Sequence, residues 1–344
     1  MTIDTTPTSK VTAALEVDGL CVEFSMRGKQ VSVLSDVSLS IRHGQTLAIV
    51  GESGCGKSMT ALAIMRLIPS PPGRISAGRI LFNGENLIQA SERRIREIRG
   101  RDISMIFQEP MTSLNPVYTI GNQIAETIRR HQKGSSADVR EQVLDLLRLV
   151  QIPAPERRID EYPHQLSGGM RQRIMIAIAL ACEPAILIAD EPTTALDVTV
   201  QAQIFDLLKD IQAKRRTSMV LITHDFGVVA EMADRVVVMY AGRKIEEGSV
   251  EEVINDPRHP YTRGLLRCMP QIKLDSILAA KPLAEIPGTV PDLLVQPRGC
   301  PFAPRCPSVM AKCIEMPPSV QLGEQRSARC WLAHEPATTG EQHV

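Results

Sequence analysis

The octapeptide GESGCGKS, Gly51 to Ser58, constrains this chain more than any other feature. It follows Leu47-Ala48-Ile49-Val50, a short continuous apolar run of the kind found in a buried parallel strand. The apolar stretch from about Ser58 to Leu67 comes next and reads as a helix. Strand, glycine-rich turn and helix in that order satisfy G-x-x-x-x-G-K-[ST]. Such glycines let backbone N–H groups curl around a polyphosphate while the helix N-terminus faces its negative charge. Gly51, Ser53, Gly54, Cys55, Gly56 and Met59 are the expected cradle. Lys57 is expected to reach the β and γ oxygens of ATP, and Ser58 to ligate Mg²⁺. A chance glycine-rich turn is the bland alternative, and it does not account for the flanking strand and helix.

Two further motifs carry chemistry. AILIADEP, Ala185 to Pro192, is an apolar strand ending in two acids. Carboxylates there are costly unless a metal or a proton-transfer role compensates; otherwise they are a solvated strand end. Asp190 is expected to orient Mg²⁺ through its water shell, and Glu191 to polarise the attacking water as general base. LSGGMRQR, Leu166 to Arg173, places a serine and two glycines before a helix over Met170 to Cys182. That is a nest-and-cap arrangement, a second phosphate-binding surface. One chain cannot easily fold both surfaces onto one nucleotide. Ser167, Gly168 and Gly169 are therefore expected to serve the ATP of a second subunit.

The rest of the chain reads as α/β. Leu20, Val22 and Phe24 alternate, as do Val31, Val33, Val37, Leu39 and Ile41, in the manner of half-buried strands. Gly78 to Gly84 reads as a hairpin arm with Ile80 and Phe82 on one face. From about Gln123 to Cys182 the pattern is mainly helical, with Val139, Val143, Leu146, Leu147 and Val150 at helical spacing. Strands over Ala185 to Ala189 and Met219 to Thr223, with a helix over Val200 to Lys214 between them, form a βαβ unit. A hairpin, Val236 to Tyr240 and Lys244 to Glu247, closes this part. After about Asp256 prolines multiply and periodicity fades. The expected division is a disordered N-terminus over 1–12, a nucleotide-binding domain over 13–255 with a helical subdomain near 110–165, and a C-terminal extension over 256–344.

Composition narrows the function classes. Aromatics are 3% of 344 residues and the net charge is zero, so a base-stacking platform or a basic stripe for nucleic acid is not expected. No apolar run approaches the eighteen or so residues of a membrane span. MTIDTTPTSK lacks the apolar core of a secretory signal, so a cytosolic setting with reduced thiols is expected.

With these motifs in this order, the sequence resembles the ATP-binding cassette (ABC) family, in which LSGG is the signature motif. The resemblance covers roughly residues 13 to 255 and implies a P-loop core with an antiparallel β arm and a helical subdomain. Gln108, in FQEP, resembles the Q-loop residue, which senses the γ-phosphate and the transmembrane partner and is expected beside Mg²⁺. Thr194-Ala195-Leu196-Asp197 is similar to the D-loop, with Asp197 crossing a dimer interface. His224, in ITHD, resembles the switch histidine, which contacts the γ-phosphate and supports Glu191. Phe24 is the aromatic expected to stack on adenine, with core packing as its alternative. FQEPMTSLNPVYTIGNQIAE, PHQLSGGMRQR, HPYTRGLL and GCPFAPRC further resemble the peptide and nickel importer branch, in particular its first-named, D-type ATPase. That resemblance implies a heterodimer with a related second ATPase at the cytoplasmic face of the membrane, under two permeases, with an external substrate-binding protein. Peptides are the implied cargo, with nickel or another small solute as the alternative. A soluble cassette ATPase acting on DNA or ribosomes would show a coiled-coil insertion or strong basic charge, and neither is present. A non-hydrolysing scaffold is disfavoured by the presence of Lys57, Glu191 and His224.

The eight cysteines are unevenly spread. Cys21, Cys55, Cys182 and Cys268 are isolated and read as packing residues. Cys300, Cys306, Cys313 and Cys330 cluster in a proline-rich tail with few apolar residues, where a staple is plausible. The cytosolic setting disfavours disulfides, and the wide spacings do not match the close pairs usual for structural zinc. Four thiolates can instead hold an iron–sulfur cluster, and the importer resemblance points the same way. A structural [4Fe–4S] cluster is expected, with zinc and unliganded thiols as alternatives.

Overall fold

The computed structural model describes residues 13–26, 28–108, 113–194, 196–269, 285–291 and 298–334; the expected disordered terminus over 1–12 lies outside them. The first strands are β1 (Ala13–Met26), β2 (Lys29–Arg42), β3 (Thr46–Val50), β4 (Gly73–Phe82), β5 (Glu85–Asn86) and β6 (Ile103–Ile106). β7 (Ile186–Asp190), β8 (Ser218–Ile222), β9 (Arg235–Tyr240), β10 (Arg243–Ser249), β11 (Val320–Gln321) and β12 (Ser327–Ala328) follow. The α-helices begin with α1 (Lys57–Ile64), α2 (Glu92–Ile98), α3 (Ile120–His131), α4 (Ser136–Leu149) and α5 (Pro155–Arg158). Next are α6 (Gly168–Leu180), α7 (Val198–Arg215), α8 (Phe226–Met232), α9 (Val250–Asn255) and α10 (Pro260–Arg267).

The alternating segments make an antiparallel four-stranded sheet in the order β2-β1-β4-β5. Ile80 and Phe82 are both buried in it, as their shared face requires. The continuous apolar runs make the middle of an eight-stranded sheet, β11-β12-β10-β9-β3-β8-β7-β6, parallel from β9 to β6. Every residue of β3, β6, β7, β8 and β9 is buried, so both faces are covered. One covering core joins the helical region, from Ile120 in α3 through Leu147 in α4 and Ile176 in α6, to Leu187 and Leu221 of the sheet. The other joins the antiparallel arm and α1 to Ile49, Ile188 and Val220. The catalytic-type motifs therefore sit at strand ends held between two packed layers.

The proline-rich segment returns to the nucleotide core. β12 pairs antiparallel with β10, Glu246 opposite Ala328 and Glu247 opposite Ser327, so the tail adds strands to the larger sheet. The Arg329 N–H donates to the Ile245 carbonyl at 2.8 Å, and its guanidinium meets Asp36 at 2.7 Å. Glu246 is buried and accepts from the N–H groups of Arg258 (2.6 Å) and His259 (3.0 Å), which fixes the start of α10. His259 caps that helix, its Nδ1 accepting from the Tyr261 N–H at 3.0 Å.

Burial pushes the His259 imidazole down from 6.5 to about 3, with the Arg263 charge acting the same way. The folded state keeps the ring neutral, whereas the unfolded chain takes up a proton below about 6.5. Stability from this group is complete above that pH and is lost as pH falls towards about 3, by up to about 1.4 kcal/mol per pH unit. His259→Asn retains a capping oxygen without the titration. Its melting temperature should fall less than that of the wild type between about pH 6.5 and 4.5 in scanning calorimetry. Equal slopes for the two proteins would remove His259 from the acid response.

Candidate functional site

The phosphate loop is pressed between two strands. A Cβ on Gly51 (φ 151°) would stand 2.3 Å from the Met239 carbonyl oxygen at the end of β9, and one on Gly56 (φ 105°) 2.6 Å from the Leu34 side chain in β2. Both positions combine a positive φ with close approach, so only glycine fits. Ser53 and Gly54 are exposed at the tip, Cys55 is buried beneath it, and Met59 packs against the core of the arm. Lys57 is 5% exposed, and its Nζ donates to the carbonyls of Gly51 (2.8 Å) and Glu52 (3.1 Å). The loop thus holds its cation with its own backbone.

Two carboxylates from the end of β7 complete the site. Ser58 Oγ donates to Asp190 Oδ1 at 3.0 Å. Asp190 is 3% exposed; burial raises its pKa, and the Ser58 hydrogen bond acts in the opposite direction. A hydroxyl paired with a desolvated carboxylate is a donor set suited to a hard divalent cation. Glu191 adopts φ 45°, a left-handed conformation costing on the order of 1 kcal/mol for a side chain with a Cβ. Its Oε2 accepts from Gln108 Nε2 at 2.9 Å and Thr194 Oγ1 at 3.2 Å, and its Oε1 lies 3.7 Å from His224 Nδ1. The structure therefore brings Gln108, Glu191 and His224 together. Thr194, read in the sequence only as part of the D-loop-like segment, joins them. Glu109 to Thr112 and Ala195 lie outside the described residues.

The signature segment forms a separate exposed surface. Ser167 caps α6, its Oγ accepting from the Met170 N–H at 3.3 Å, and Gly168 is exposed beside it. Gly169 allows close contact with α7: a Cβ there would stand 2.8 Å from Val200 Cγ1. Asp197 caps α7, accepting from the Val200 N–H at 3.0 Å, and is also exposed. Among the described residues no hydrogen bond joins Ser167–Gly169 to the phosphate loop. Phe24 lies within the arm: a Cβ on Gly73 would come 2.8 Å from its ring tip, and the ring packs against the apolar core. These contacts support its packing role.

The tail cysteines share a place but not a ligand geometry. Cys300, Cys306, Cys313 and Cys330 line one small cavity with Phe302 and Trp331, and the Cys300 N–H donates to the Cys313 carbonyl at 3.0 Å. As placed, however, no three described His, Cys, Asp or Glu side chains group together as metal ligands. Burial pushes the Cys330 thiol up to about 11. The expected iron–sulfur cluster therefore lacks support from the arrangement of these side chains.

Sequence reading also missed a contact at the phosphate loop itself. The Glu52 carboxylate receives the Arg305 guanidinium in two parallel bonds of 2.7 and 2.9 Å, and the Glu52 N–H donates to the Tyr261 hydroxyl at 2.8 Å. No local pattern marks partners 253 positions apart.

Residues 34–194 match the family model described as ABC transporter, and residues 245–313 match that described as oligopeptide/dipeptide transporter, C-terminal region. The dipeptide transport ATP-binding protein DppD of Bacillus subtilis is 51% identical, over 92% of this chain and 94% of that protein. The oligopeptide transport ATP-binding protein OppD of the same organism is 50% identical, over 94% and 90%. DppD of Escherichia coli is 48% identical, over 92% and 96%. Among solved structures, a dimeric bacterial ABC transporter cassette superposes with a TM-score of 0.62 at 28% identity, covering 69% of this chain and 98% of that one. A post-hydrolysis state of the same cassette, bound to ADP and phosphate, superposes equally well.

Lys57→Ala is expected to remove charge-assisted hydrogen bonds to a bound phosphate, each worth about 1.5–3 kcal/mol. Titration calorimetry should show MgATP affinity falling at least about ten-fold. Affinity near that of the wild type would separate the loop from nucleotide binding.

Proposed function

The chain belongs to the ABC transporter ATPase family, and on that premise we propose that it is the ATP-hydrolysing subunit of a peptide importer. The observation that carries the cargo class is the oligopeptide/dipeptide C-terminal region on the same chain as the nucleotide motifs. A nickel or other small-solute importer is the second reading, since the nucleotide site would be the same.

The residues divide the work as follows. Gly51 to Ser58 and Met59 hold the phosphates, and Lys57 leaves the Gly51 and Glu52 carbonyls for the β and γ oxygens. Ser58, Asp190 and Gln108 would hold Mg²⁺, which would neutralise phosphate charge. Glu191, oriented by Gln108 and Thr194, accepts the proton of the attacking water, with His224 beside its other oxygen. Ser167, Gly168 and Asp197 are exposed, with Gly169 half-buried beside them, and together they complete the nucleotide site of a second ATPase, for which a related chain is proposed. The dimeric form of the cassette that superposes on this fold supports such a pairing. Among the described residues no helix is long and apolar enough to cross a membrane. Two permeases would therefore hold the pair at the cytoplasmic face, with an external binding protein delivering substrate.

For the tail, the shared cavity of Cys300, Cys306, Cys313 and Cys330 supports a structural metal centre, an iron–sulfur cluster before zinc, once the thiols turn inward. Anaerobically purified protein should then carry iron and sulfide. Metal-free protein with four free tail thiols would leave these cysteines as packing residues.

The dimer is tested with Glu191→Gln, which keeps the side-chain shape but lowers hydrolysis by about 10²–10⁴-fold. With ATP and the partner ATPase it should accumulate as a closed dimer in size analysis. Adding Ser167→Arg on the same chain should abolish that dimer while leaving ATP binding at Lys57 intact. A double variant that still traps, or that loses its own nucleotide, would overturn the head-to-tail arrangement.

A further inference from the structure

Two buried side chains from the C-terminal extension end on one residue of the phosphate loop, and the hydrolysis scheme uses neither. Tyr261, fully buried in α10, accepts the Glu52 N–H at 2.8 Å. Arg305, whose side chain is 5% exposed, engages every guanidinium nitrogen. Its Nε donates to the Pro287 carbonyl (2.9 Å) and Nη2 to the Ile286 carbonyl (3.1 Å). Nη1 and Nη2 together clamp the Glu52 carboxylate, and Nη1 also reaches the Tyr240 hydroxyl at 3.3 Å. Tyr240, Tyr261 and Phe302 pack ring against ring at centroid distances of 4.6 to 5.3 Å, so both side chains are set in rigid surroundings.

Glu52 is consequently fixed at three points: its N–H by Tyr261, its carboxylate by Arg305, and its carbonyl by Lys57 Nζ at 3.1 Å. The orientation of the peptide planes on either side of residue 52 decides how the following N–H groups are presented. Its charge matters as well, because a free carboxylate at the mouth of a triphosphate site repels the ligand. A bidentate guanidinium both neutralises that charge and holds it towards the tail.

We propose that Tyr261 and Arg305 are positioning residues for nucleotide binding: the extension holds Glu52 neutralised and oriented so that Gly51 to Gly56 are already shaped for the phosphates. This inference rests on the nucleotide reading of that loop. By reciprocity, bound nucleotide strengthens the docking of the extension by the same factor that the extension strengthens nucleotide binding.

The test uses the full chain, with MgATP titrations, steady-state hydrolysis in the presence of the partner ATPase, and thermal melts. Arg305→Gln should raise both Kd and KM for MgATP about ten-fold while kcat stays within about two-fold, and the loss should shrink at high salt. Tyr261→Phe keeps the ring packing and removes only the acceptor, so Kd should rise about three-fold. The decisive variant is Arg305→Gln with Glu52→Gln, in which the exposed negative charge is gone. It should recover affinity to within about three-fold of the wild type. A contact that merely staples the tail would not be rescued by a second substitution that leaves the staple broken. Unchanged KM in the single variants, a fall in kcat alone, or no recovery in the double variant would overturn the proposal. Should Arg305→Gln fail to fold, Tyr261→Phe and the double variant decide it. A wild-type chain that fails to bind MgATP would instead overturn the phosphate-loop reading itself.

Discussion

Asp190 and Glu191 stand at the end of a strand buried on both faces, and the cost of keeping charge there governs the surrounding architecture. Asp190 is desolvated enough for its pKa to rise, and Ser58 is the neighbour that eases its ionised form directly. Glu191 turns through a left-handed backbone conformation towards Gln108, Thr194 and His224. Neighbouring carboxylates thus receive different surroundings: Asp190 is buried beside a hydroxyl, and Glu191 faces an amide, a hydroxyl and an imidazole. That separation requires a sheet rigid enough to hold both, hence the two apolar layers around Ile188 and Leu187.

The parts of the site legible in the sequence were those whose chemistry is local. A loop that needs Gly51 and Gly56, a strand that ends in acids, and a serine ahead of two glycines each carry their own signature over a few residues. The meeting of Gln108 with Glu191 spans 83 positions, and the family resemblance had placed Gln108 only beside the γ-phosphate and Mg²⁺. Thr194 had been read only as part of a D-loop-like segment, and Arg305 had no support at all, since arginines are common and nothing in its spacing distinguishes it. Phe24 shows the converse limit: an alternating strand pattern does not reveal whether a ring faces a ligand or fills the space over Gly73.

The tail makes the same point about composition. Prolines after Asp256 mark the end of periodicity, yet the chain still contributes Tyr261, Phe302 and Arg305 to the surroundings of the phosphate loop, and β12 to its sheet. Four cysteines that cluster in the sequence line one cavity, but the direction of each thiol depends on turns that spacing does not encode.

The pairing of β12 with β10 also bears on how the protein is made. A ribosome delivers the chain from its N-terminus, so β10 emerges with its outer edge open and remains so until Ser327 and Ala328 have been synthesised. An open edge offers unpaired N–H and C=O groups to any other extended chain. Charged side chains often guard such edges, but here Glu246 is turned inward to the backbone of Arg258 and His259, and Glu247 to Arg235. The nascent chain is therefore adhesive until β12 arrives, and a premature stop before Ser327 leaves that adhesive edge permanently exposed.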